Sequence, residues 1–433
     1  AQWKDQNNTE HQSEDSDDFR PNPAYSLNAE KSGTYNAQTK EITWTSAINL
    51  SRHALTNAFF TDVLKDNQQY VAGSLNVYQA RTAANGSVSK IDNIPDNETM
   101  TSIQEPTTAN GNTIDIRFPN QSQYTYIIEF KTTLVGSVIT ESKSYENVAQ
   151  YSNGGVDRDV VGEVTVKNGG SHLQKSGQLD PQHPDYVFWQ LLINPAQSTL
   201  TNVVVKDTPS DNQIVDKNSI QIYETTVSET GDITPDKNRP LIQGIDYTAE
   251  VLTNNLTGVQ TMTVTFLHEI SCTYSMEYRA LVNSSATGKT DTVSNKATIT
   301  GDGTKTVTDN SGTNVSVPVN TTGGAASGRK GSITFQKTKE DQVSPLTGAH
   351  FELWNTTKTQ ILREGEVDST GKITFGNLLL GEYLLFETNA PTGYTNPDNL
   401  VNGMRIKITA QTSNAQTAPI KVVNTPNKVI LTK

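Results

Sequence analysis

The chain contains an internal repeat, and this repeat constrains the fold more than any other feature of the sequence. Three polar residues recur in the same order and at nearly the same spacing, first as Lys31, Asp62 and Asn147 and then as Lys175, Asp207 and Asn295. The surrounding sequence matches as well, because Lys-Ser-Gly, Leu-Thr-Asn and Asn-Gln segments of the first copy reappear in register in the second. The sequence therefore predicts two copies of one domain in tandem.

Alternation of apolar and polar residues predicts the secondary structure of both copies. The segments EITWTSAINL, YTYIIEFKTTL and TMTVTFLHEI alternate with a period of two, which places one face of a strand in a core and the other in water. Turn residues separate such segments about every ten residues, which is typical of β-sandwiches. A chain of 433 residues is also too long for one core, since roughly 150 residues per domain predicts about three. We expect an all-β chain of three sandwich domains in series.

Changes in composition predict the domain boundaries. Residues 1–27 are acidic and polar, and we expect a disordered arm or the remnant of a preceding module there. The repeats are assigned to 28–170 and 171–324, and each ends in paired glycines that are predicted to act as hinges. A linker at 325–330 then precedes a smaller β-rich unit at 331–427, and residues 428–433 begin a following segment.

Composition excludes several classes of function. The net charge of −12 argues against a nucleic-acid partner, because 34 basic residues are diluted among 46 acidic ones. No apolar run of 18 residues, signal peptide or sorting sequence is present, so we expect no membrane insertion and interpret the chain as a mature or excised fragment. The single cysteine, Cys272, excludes internal disulfides; it lies in an apparent strand, and an inert buried thiol is favoured over a reactive one.

No cofactor or metal site is predicted. The six histidines are scattered, and no phosphate loop, G-x-S-x-G elbow or HExxH motif occurs. The acidic segments SEDSDDF and GDGTKTVTDN could attract calcium, but neither matches an EF-hand loop, and solvated loops are the favoured interpretation.

The third unit places a lysine among apolar residues. In ITFQKTK the alternation puts Lys337 on the same face as Ile333 and Phe335. Burial lowers the pKa of a lysine and raises that of a carboxyl group, so a buried pair can hold a neutral amine beside a protonated acid. Such an amine can attack a side-chain amide that the acid polarises, which joins lysine to asparagine in an isopeptide bond and releases ammonia.

These residues resemble those of a known family. The two repeats are similar to the isopeptide-bearing immunoglobulin-like domain of Gram-positive collagen adhesins, which implies bonds Lys31–Asn147 and Lys175–Asn295 with Asp62 and Asp207 as catalytic acids. The third unit, with PLTGAHFEL, ETNAPTGY and VVNTP, resembles the B-type repeat of the same adhesins and of pilins. That resemblance implies a bond Lys337–Asn424 with Glu387 as the acid.

Each assignment has alternatives. A single lysine or asparagine of this kind is ordinarily a solvated surface or turn residue, and the three sets in the same order are what favour the bonds. Lys339 is a rival to Lys337, and Asp66 and Asp211, in KDNQ and SDNQ turns, are rivals to the proposed acids. Trp44 and Trp189 are predicted to be core aromatics rather than ligand contacts.

The resemblance implies a function outside the cell. It indicates an adhesin on the cell wall of a Gram-positive bacterium, monomeric, stiffened by single-turnover cross-links into an elongated rod and joined to peptidoglycan through segments outside this chain. A host matrix protein such as collagen or fibrinogen is the implied partner. Collagen adhesins clasp their ligand between two dissimilar domains, whereas both repeats here resemble the second of those. The alternative is a structural stalk or pilin-like shaft; an enzyme acting on external substrates is disfavoured. The strand after Asn295 is either a latch on the neighbouring repeat or, preferably, the last strand of its own domain.

Overall fold

The chain folds almost entirely into β-strands, which confirms the predicted all-β class. The computed structural model describes residues 2–4, 6–12, 28–83, 85–136, 139, 144–284, 290–303, 306–318, 330–409 and 418–427. Residues 325–329 of the predicted linker, the second glycine pair, the SEDSDDF segment and the final segment at 428–433 lie outside these residues, whereas Lys330, the last residue of the predicted linker, begins a strand.

A short hairpin lies within the segment 1–27, which the sequence assigned to a disordered arm or to the remnant of a preceding module. Strand β1 (Gln2–Lys4) pairs antiparallel with β2 (Glu10–Gln12). Asn8 in the connection has φ of +65°, a left-handed conformation that asparagine tolerates better than most residues. The turn chemistry therefore forms a local pair of strands although the segment has no apolar periodicity; residues 13–27 lie outside the described part of the chain.

The first repeat is a two-sheet sandwich. Its strands are β3 (Ala29–Asn36), β4 (Glu41–Ile48), β5 (Phe59–Val63), β6 (Gln68–Tyr70), β7 (Asn76–Thr82), β8 (Val88–Lys90), β9 (Ser102–Gln104), β10 (Thr113–Arg117), β11 (Thr125–Leu134), β12 (Ser144–Asn153) and β13 (Val156–Thr165). One sheet has the order β3-β4-β11-β7-β8, with β6 also on β11, and the other β13-β12-β5-β10-β9. Short 3-10 turns cover Asn97–Thr99 and Thr108–Asn110.

The second repeat has the same topology. Its strands are β14 (Leu173–Leu179), β15 (Tyr186–Ile193), β16 (Thr201–Pro209), β17 (Gln213–Val215), β18 (Gln221–Val227), β19 (Ile233–Pro240), β20 (Tyr247–Thr253), β21 (Gln260–Phe266), β22 (Tyr274–Val282), β23 (Thr290–Asp302) and β24 (Val307–Pro318), with a 3-10 turn at Lys217–Ser219. The sheet orders are β14-β15-β22-β18-β19, with β17 on β22, and β20-β21-β16-β23-β24. The strand after Asn295 thus completes its own domain, since β24 pairs with β23 along its length.

A tryptophan packed on a glycine centres each core. Trp44 is fully buried and lies opposite Gly33 across the β3–β4 pair, and Trp189 lies opposite Gly177 in the β14–β15 pair. The nearest indole carbon would lie 2.7 Å from a Cβ at Gly33 and 2.3 Å from one at Gly177, so no larger residue fits without movement. The glycine of each Lys-Ser-Gly segment therefore admits the indole beside the lysine, and the prediction that both tryptophans are core residues is confirmed.

The third domain is a smaller sandwich. Its elements are β25 (Lys330–Thr338), β26 (His350–Trp354), β27 (Ile361–Glu366), β28 (Lys372–Leu379), β29 (Gly381–Asn389), β30 (Tyr394–Thr395), helix α1 (Asp398–Val401), β31 (Met404–Ile408), β32 (Ile420–Val423) and β33 (Thr425–Pro426). The sheets are β28-β25-β32 and β27-β26-β29-β31, with β30 paired to β33. Strands β25 and β32 run parallel, so the first and last long strands of the domain lie side by side.

The second repeat and the third domain pack into one compact unit, while the first repeat forms a separate one. Ile214 of the second repeat joins the core of the third domain. The side chain of Gln360 donates to the carbonyl of Ile214, and the backbone amide of Gly376 donates to Asn255. Buried Arg363 donates to the carbonyl oxygens of Gly376 and Asn377 behind this seam. The seam therefore combines buried apolar contacts with hydrogen bonds from side chains and backbone, and the ion pair between Lys217 and Glu364 also crosses it.

Three buried lysine, acid and asparagine sites

The first site lies between the two sheets of the first repeat. Lys31 on β3 places Nζ 2.5 Å from Oδ2 of Asp62 on β5, and both side chains are fully buried. Asp62 pairs with Ala149 on β12, so Asn147, two residues earlier, points to the same inner face. The three predicted residues therefore meet in one place although they come from three strands.

Aromatic rings surround the lysine. Nζ of Lys31 lies 5.8, 5.4 and 5.1 Å from the ring centres of Trp44, Phe60 and Phe130. Burial lowers the pKa of Lys31, and the nearby Asp62 charge opposes that shift only in part. Burial likewise raises the pKa of Asp62, against the opposing effects of Lys31 and of the Asn147 amide. Both shifts favour a neutral amine beside a protonated acid.

The amide at this site is weakly held. Neither Oδ1 nor Nδ2 of Asn147 makes a hydrogen bond to a residue that the structure describes, and Oδ1 of Asp62 makes none either. The amide nevertheless lies close enough to Asp62 to lower the pKa of that carboxyl group. The electrophile is therefore beside the acid but not fixed by it.

A glycine on β13 makes room for the lysine stem. Gly162 pairs with Asn147 across the strands, and a Cβ there would lie 2.9 Å from Cγ of Lys31. It would also lie 3.3 Å from the indole of Trp44. The absence of a side chain at Gly162 thus lets the lysine pass over β13 on its way to the site.

The second site repeats the first with one additional group. Nζ of Lys175 lies 2.7 Å from Oδ2 of Asp207, and the two side chains are buried. The hydroxyl of Tyr278 donates to the same Oδ2 at 2.8 Å, and Nδ2 of Asn295 donates to that hydroxyl. Oδ1 of Asp207 and of Asn295 make no hydrogen bond within the described residues.

The pKa shifts at the second site have the same direction and cause. Burial lowers the pKa of Lys175, opposed by Asp207. Burial raises the pKa of Asp207, opposed first by Lys175 and then by the hydroxyl of Tyr278 and the amide of Asn295. Nζ of Lys175 lies 5.3 and 5.5 Å from the rings of Trp189 and Tyr278, so the amine is again enclosed by aromatic carbon.

The third site connects all its members directly. Nζ of Lys337 donates to Oε2 of Glu387 at 2.9 Å and to Oδ1 of Asn424, and Nδ2 of Asn424 donates to Oε1 of Glu387 at 2.9 Å. The three residues are buried. Burial lowers the pKa of Lys337 and raises that of Glu387, in each case opposed by the partner. The expected inward face of Ile333, Phe335 and Lys337 is confirmed.

The rival residues lie elsewhere. Lys339, Asp66 and Asp211 are exposed, the aspartates in turns as expected. Cys272 differs from its prediction, because it lies in a bend just before β22 and is only half-buried. Cys272 thus lies between the isolated bridge of Ile270 with Leu200 and the first residue of β22, Tyr274.

Several residues that shape the sites were not recognised in the sequence. Tyr278 lies directly opposite Trp189 across the sheet, and its counterpart Phe130 lies opposite Trp44. The sequence signal for this correspondence was the Glu-aromatic pair that occurs in both repeats, as Glu129-Phe130 and Glu277-Tyr278. Gly162 had no comparable signal, because its counterpart opposite Asn295 is Thr313. Gln68 and Gln213, in the recurrent Asn-Gln segments, accept hydrogen bonds from the indole nitrogens at 2.9 Å.

The described residues form few arrangements that could serve as another kind of site. Within the described residues, no group of three or more histidines, cysteines, aspartates or glutamates is arranged to hold a metal ion. Asp309 of the second acidic segment accepts the backbone amides of His172 and Leu173 instead. No described helix is long and apolar enough to cross a membrane.

Comparison with protein families agrees with this architecture. The model of the collagen binding domain matches residues 26–161 and again residues 170–310, together more than half of the chain. The chain belongs to the collagen binding domain family. In this family member the third domain matches the model of a prealbumin-like fold domain over residues 331–424. The resemblance to collagen-adhesin domains followed by a B-type repeat is thereby confirmed.

Solved structures that are similar to this chain include bacterial pilins and a collagen binding subdomain, all at low identity. The major pilin subunit BcpA of Bacillus cereus is 14% identical, with 92% of this chain and 99% of that chain covered and a TM-score of 0.24. The 35 kDa C-terminal fragment of the major pilin GBS80 of Streptococcus agalactiae is 13% identical, with 58% and 98% covered and a TM-score of 0.24. ACE19, the collagen binding subdomain of the Enterococcus faecalis surface protein ACE, is 13% identical, with 34% and 97% covered and a TM-score of 0.25. TM-scores this low do not bear on function. No curated protein matches this chain.

Proposed function

We propose that this family member is a segment of a bacterial surface adhesin in which each of the three domains is tied by one Lys–Asn isopeptide bond. The third site carries the proposal, because Lys337, Glu387 and Asn424 are buried together and each contacts the other two. A salt bridge alone would not require the asparagine. Its amide, held between a lysine with a lowered pKa and an acid with a raised pKa, is an electrophile beside a nucleophile.

The geometry supports a simple proton path. Neutral Nζ of Lys337 attacks Cγ of Asn424, the Cγ–Nδ2 bond breaks, and one ammonia leaves. Each oxygen of Glu387 contacts one nitrogen, so the carboxyl group gives its proton to departing Nδ2 and recovers one from Nζ. The acid ends as it began and no external reactant is consumed. The site reacts once, and we expect no turnover of external substrates.

Corresponding bonds Lys31–Asn147 and Lys175–Asn295, with Asp62 and Asp207 as acids, would each close a loop of more than a hundred residues. In the chain-entropy treatment used for disulfides, such a closure is worth about 4–5 kcal/mol of stability. The bonds would also join strands near the two ends of each domain. A pulling force would then pass through covalent bonds instead of the hydrogen bonds of the sheets.

Intact mass tests the chemistry. Three bonds release three molecules of ammonia, so the mass of the chain should fall by about 51 Da. Lys31→Ala, Lys175→Ala and Lys337→Ala should each abolish one loss of about 17 Da beyond the change of residue. Lys339→Ala is the matched control, because Lys339 is exposed and should leave all three losses in place. An unshifted mass in the unsubstituted chain would contradict the proposal.

The proposed setting is the outer surface of a Gram-positive cell, with attachment to peptidoglycan through segments outside this chain. The two matches to the collagen binding domain support a matrix protein as partner, with collagen as the first candidate and fibrinogen as the second. Surface binding of the chain to immobilised collagens, fibrinogen and fibronectin tests this. Saturable binding to one of them supports adhesion, whereas binding to none favours a stalk or pilin-like shaft that carries a separate ligand-binding domain.

A further inference from the structure

The hydroxyl of Tyr278 bridges the acid and the amide of the second site. It donates to Oδ2 of Asp207 at 2.8 Å and accepts from Nδ2 of Asn295. The ring is fully buried beside Lys175, with its centre 5.5 Å from Nζ. The hydroxyl therefore contacts the nitrogen that would leave as ammonia.

The other two sites reach the amide differently. At the third site Oε1 of Glu387 itself accepts from Nδ2 of Asn424, helped by a side chain one carbon longer than aspartate. At the first site the residue opposite the tryptophan is Phe130, which has no hydroxyl, and Nδ2 of Asn147 makes no hydrogen bond within the described residues. The second site thus has a bridging group and the third a direct hydrogen bond, whereas in the first the amide of Asn147 lies beside Asp62 with no bridging group.

We propose that Tyr278 is a catalytic residue of the second site, relaying a proton from Asp207 to the leaving nitrogen of Asn295. This inference rests on the proposed isopeptide chemistry and adds a fourth participant to one of its three sites. It also predicts that the first repeat, with Phe130, forms its bond more slowly than the second.

The relay balances. After Nζ of Lys175 adds to Cγ of Asn295, Nδ2 is no longer conjugated with the carbonyl and becomes a basic amine. Tyr278 then gives its proton to Nδ2 and takes the proton of the Asp207 carboxyl group, while Asp207 recovers a proton from Nζ. The Cγ–Nδ2 bond breaks and ammonia leaves. Tyrosine and aspartate both end in their starting protonation states.

The environment keeps the tyrosine in its donor form. Burial raises the pKa of Tyr278 well above its usual value, and the nearby Asp207 acts in the same direction. The hydroxyl therefore retains its proton over the range in which the acid and the amine change theirs. A buried phenolate would be costly in this aromatic enclosure.

Exchange of the two ring residues tests the relay in the full chain. The chain and its Tyr278→Phe and Phe130→Tyr variants are made by cell-free synthesis, quenched in acidic urea at intervals and digested, and the cross-linked peptides of each domain are quantified by mass spectrometry. Tyr278→Phe should slow the second bond at least about tenfold and leave the first and third unchanged. Phe130→Tyr should speed the first bond.

Each outcome has a distinct meaning. If the unsubstituted chain forms no bonds, both the proposed function and the relay are wrong. If it forms three bonds and Tyr278→Phe forms the second at the original rate, the relay alone is wrong. The first repeat shows that this topology accepts phenylalanine opposite the tryptophan. Should Tyr278→Phe still misfold, as limited proteolysis would reveal, Phe130→Tyr decides, and an unchanged first-site rate would overturn the relay.

Discussion

The two repeats share every sheet connection at their sites but differ in how the asparagine is held. In both, the lysine contacts the acid through one oxygen and an aromatic enclosure surrounds the amine. In the second repeat the amide is hydrogen-bonded to Tyr278, whereas in the first the corresponding Phe130 offers nothing. The shared topology therefore positions the nucleophile and the acid, whereas the ring hydroxyl of Tyr278 decides whether the amide electrophile is held by a hydrogen bond.

The difference has an energetic side. The first site leaves Oδ1 of Asp62 and both polar atoms of Asn147 without hydrogen bonds among the described residues, and the second leaves only Oδ1 of Asp207 and of Asn295. An unsatisfied buried polar atom costs about 1–3 kcal/mol. Before any bond forms, the first site is therefore the less satisfied of the two, although both share one fold.

The largest expected effect comes from removing the electrophile of either repeat. Asn147→Ala and Asn295→Ala should each abolish one bond and lower the stability of that domain by about 4–5 kcal/mol, because the closed loops are of similar length. Urea unfolding followed by domain-specific proteolysis measures this. Exposed neighbours supply the controls, since Gln150→Ala and Asn314→Ala should change stability by no more than about 0.5 kcal/mol. Clearly unequal losses in the two repeats would show that more than loop closure is involved.

A smaller effect is expected where the lysine crosses β13. Gly162→Ala places a methyl group 2.9 Å from Cγ of Lys31, and overpacking of this kind costs about 1–3 kcal/mol. The first bond should form more slowly and the other two at their usual rates, as quantified from the cross-linked peptides. Thr313→Ala is the matched change opposite Asn295 and should leave the second bond unaffected. If neither Gly162→Ala nor Thr313→Ala slows the bond of its own repeat, Gly162 is not needed to make room for Lys31.

The smallest expected effect is a difference between the two repeats in how the rate of bond formation depends on pH. A carboxyl group whose pKa is raised by burial keeps its proton until the pH rises through that raised value, and the reaction slows above it. The hydrogen bond that the hydroxyl of Tyr278 donates to Asp207 lowers the pKa of this carboxyl group and so offsets part of the rise caused by burial. Asp62 receives no hydrogen bond of this kind. The rate at the second site should therefore decline at a lower pH than at the first. Rates for each domain across alkaline buffers measure this, and Tyr278→Phe should move the decline upward; the reverse order would contradict the assignment.

Much of the architecture was predictable from the sequence because its signals are local. Alternation with period two predicted the strands, and the recurrent Lys-Ser-Gly, Leu-Thr-Asn and Asn-Gln segments predicted two like domains. The inward position of Lys337 followed from three alternate residues of one strand. Cys272 was assigned to a strand incorrectly, and the β1–β2 hairpin was not foreseen, because a bend and a turn depend on local backbone conformation that composition does not report.

The sequence by itself determined which residues are candidates for the chemistry: the lysines, the acids and the asparagines in their order, repeated in two domains and varied in a third. Only the tertiary structure decided how these residues meet. Tyr278 lies 71 residues from Asp207 along the chain, and its hydroxyl reaches the acid because strand register places its ring opposite Trp189. Gly162 matters because β13 returns beside Asn147. Register between distant strands is set by the packing of whole sheets, so neither role follows from the residues on either side.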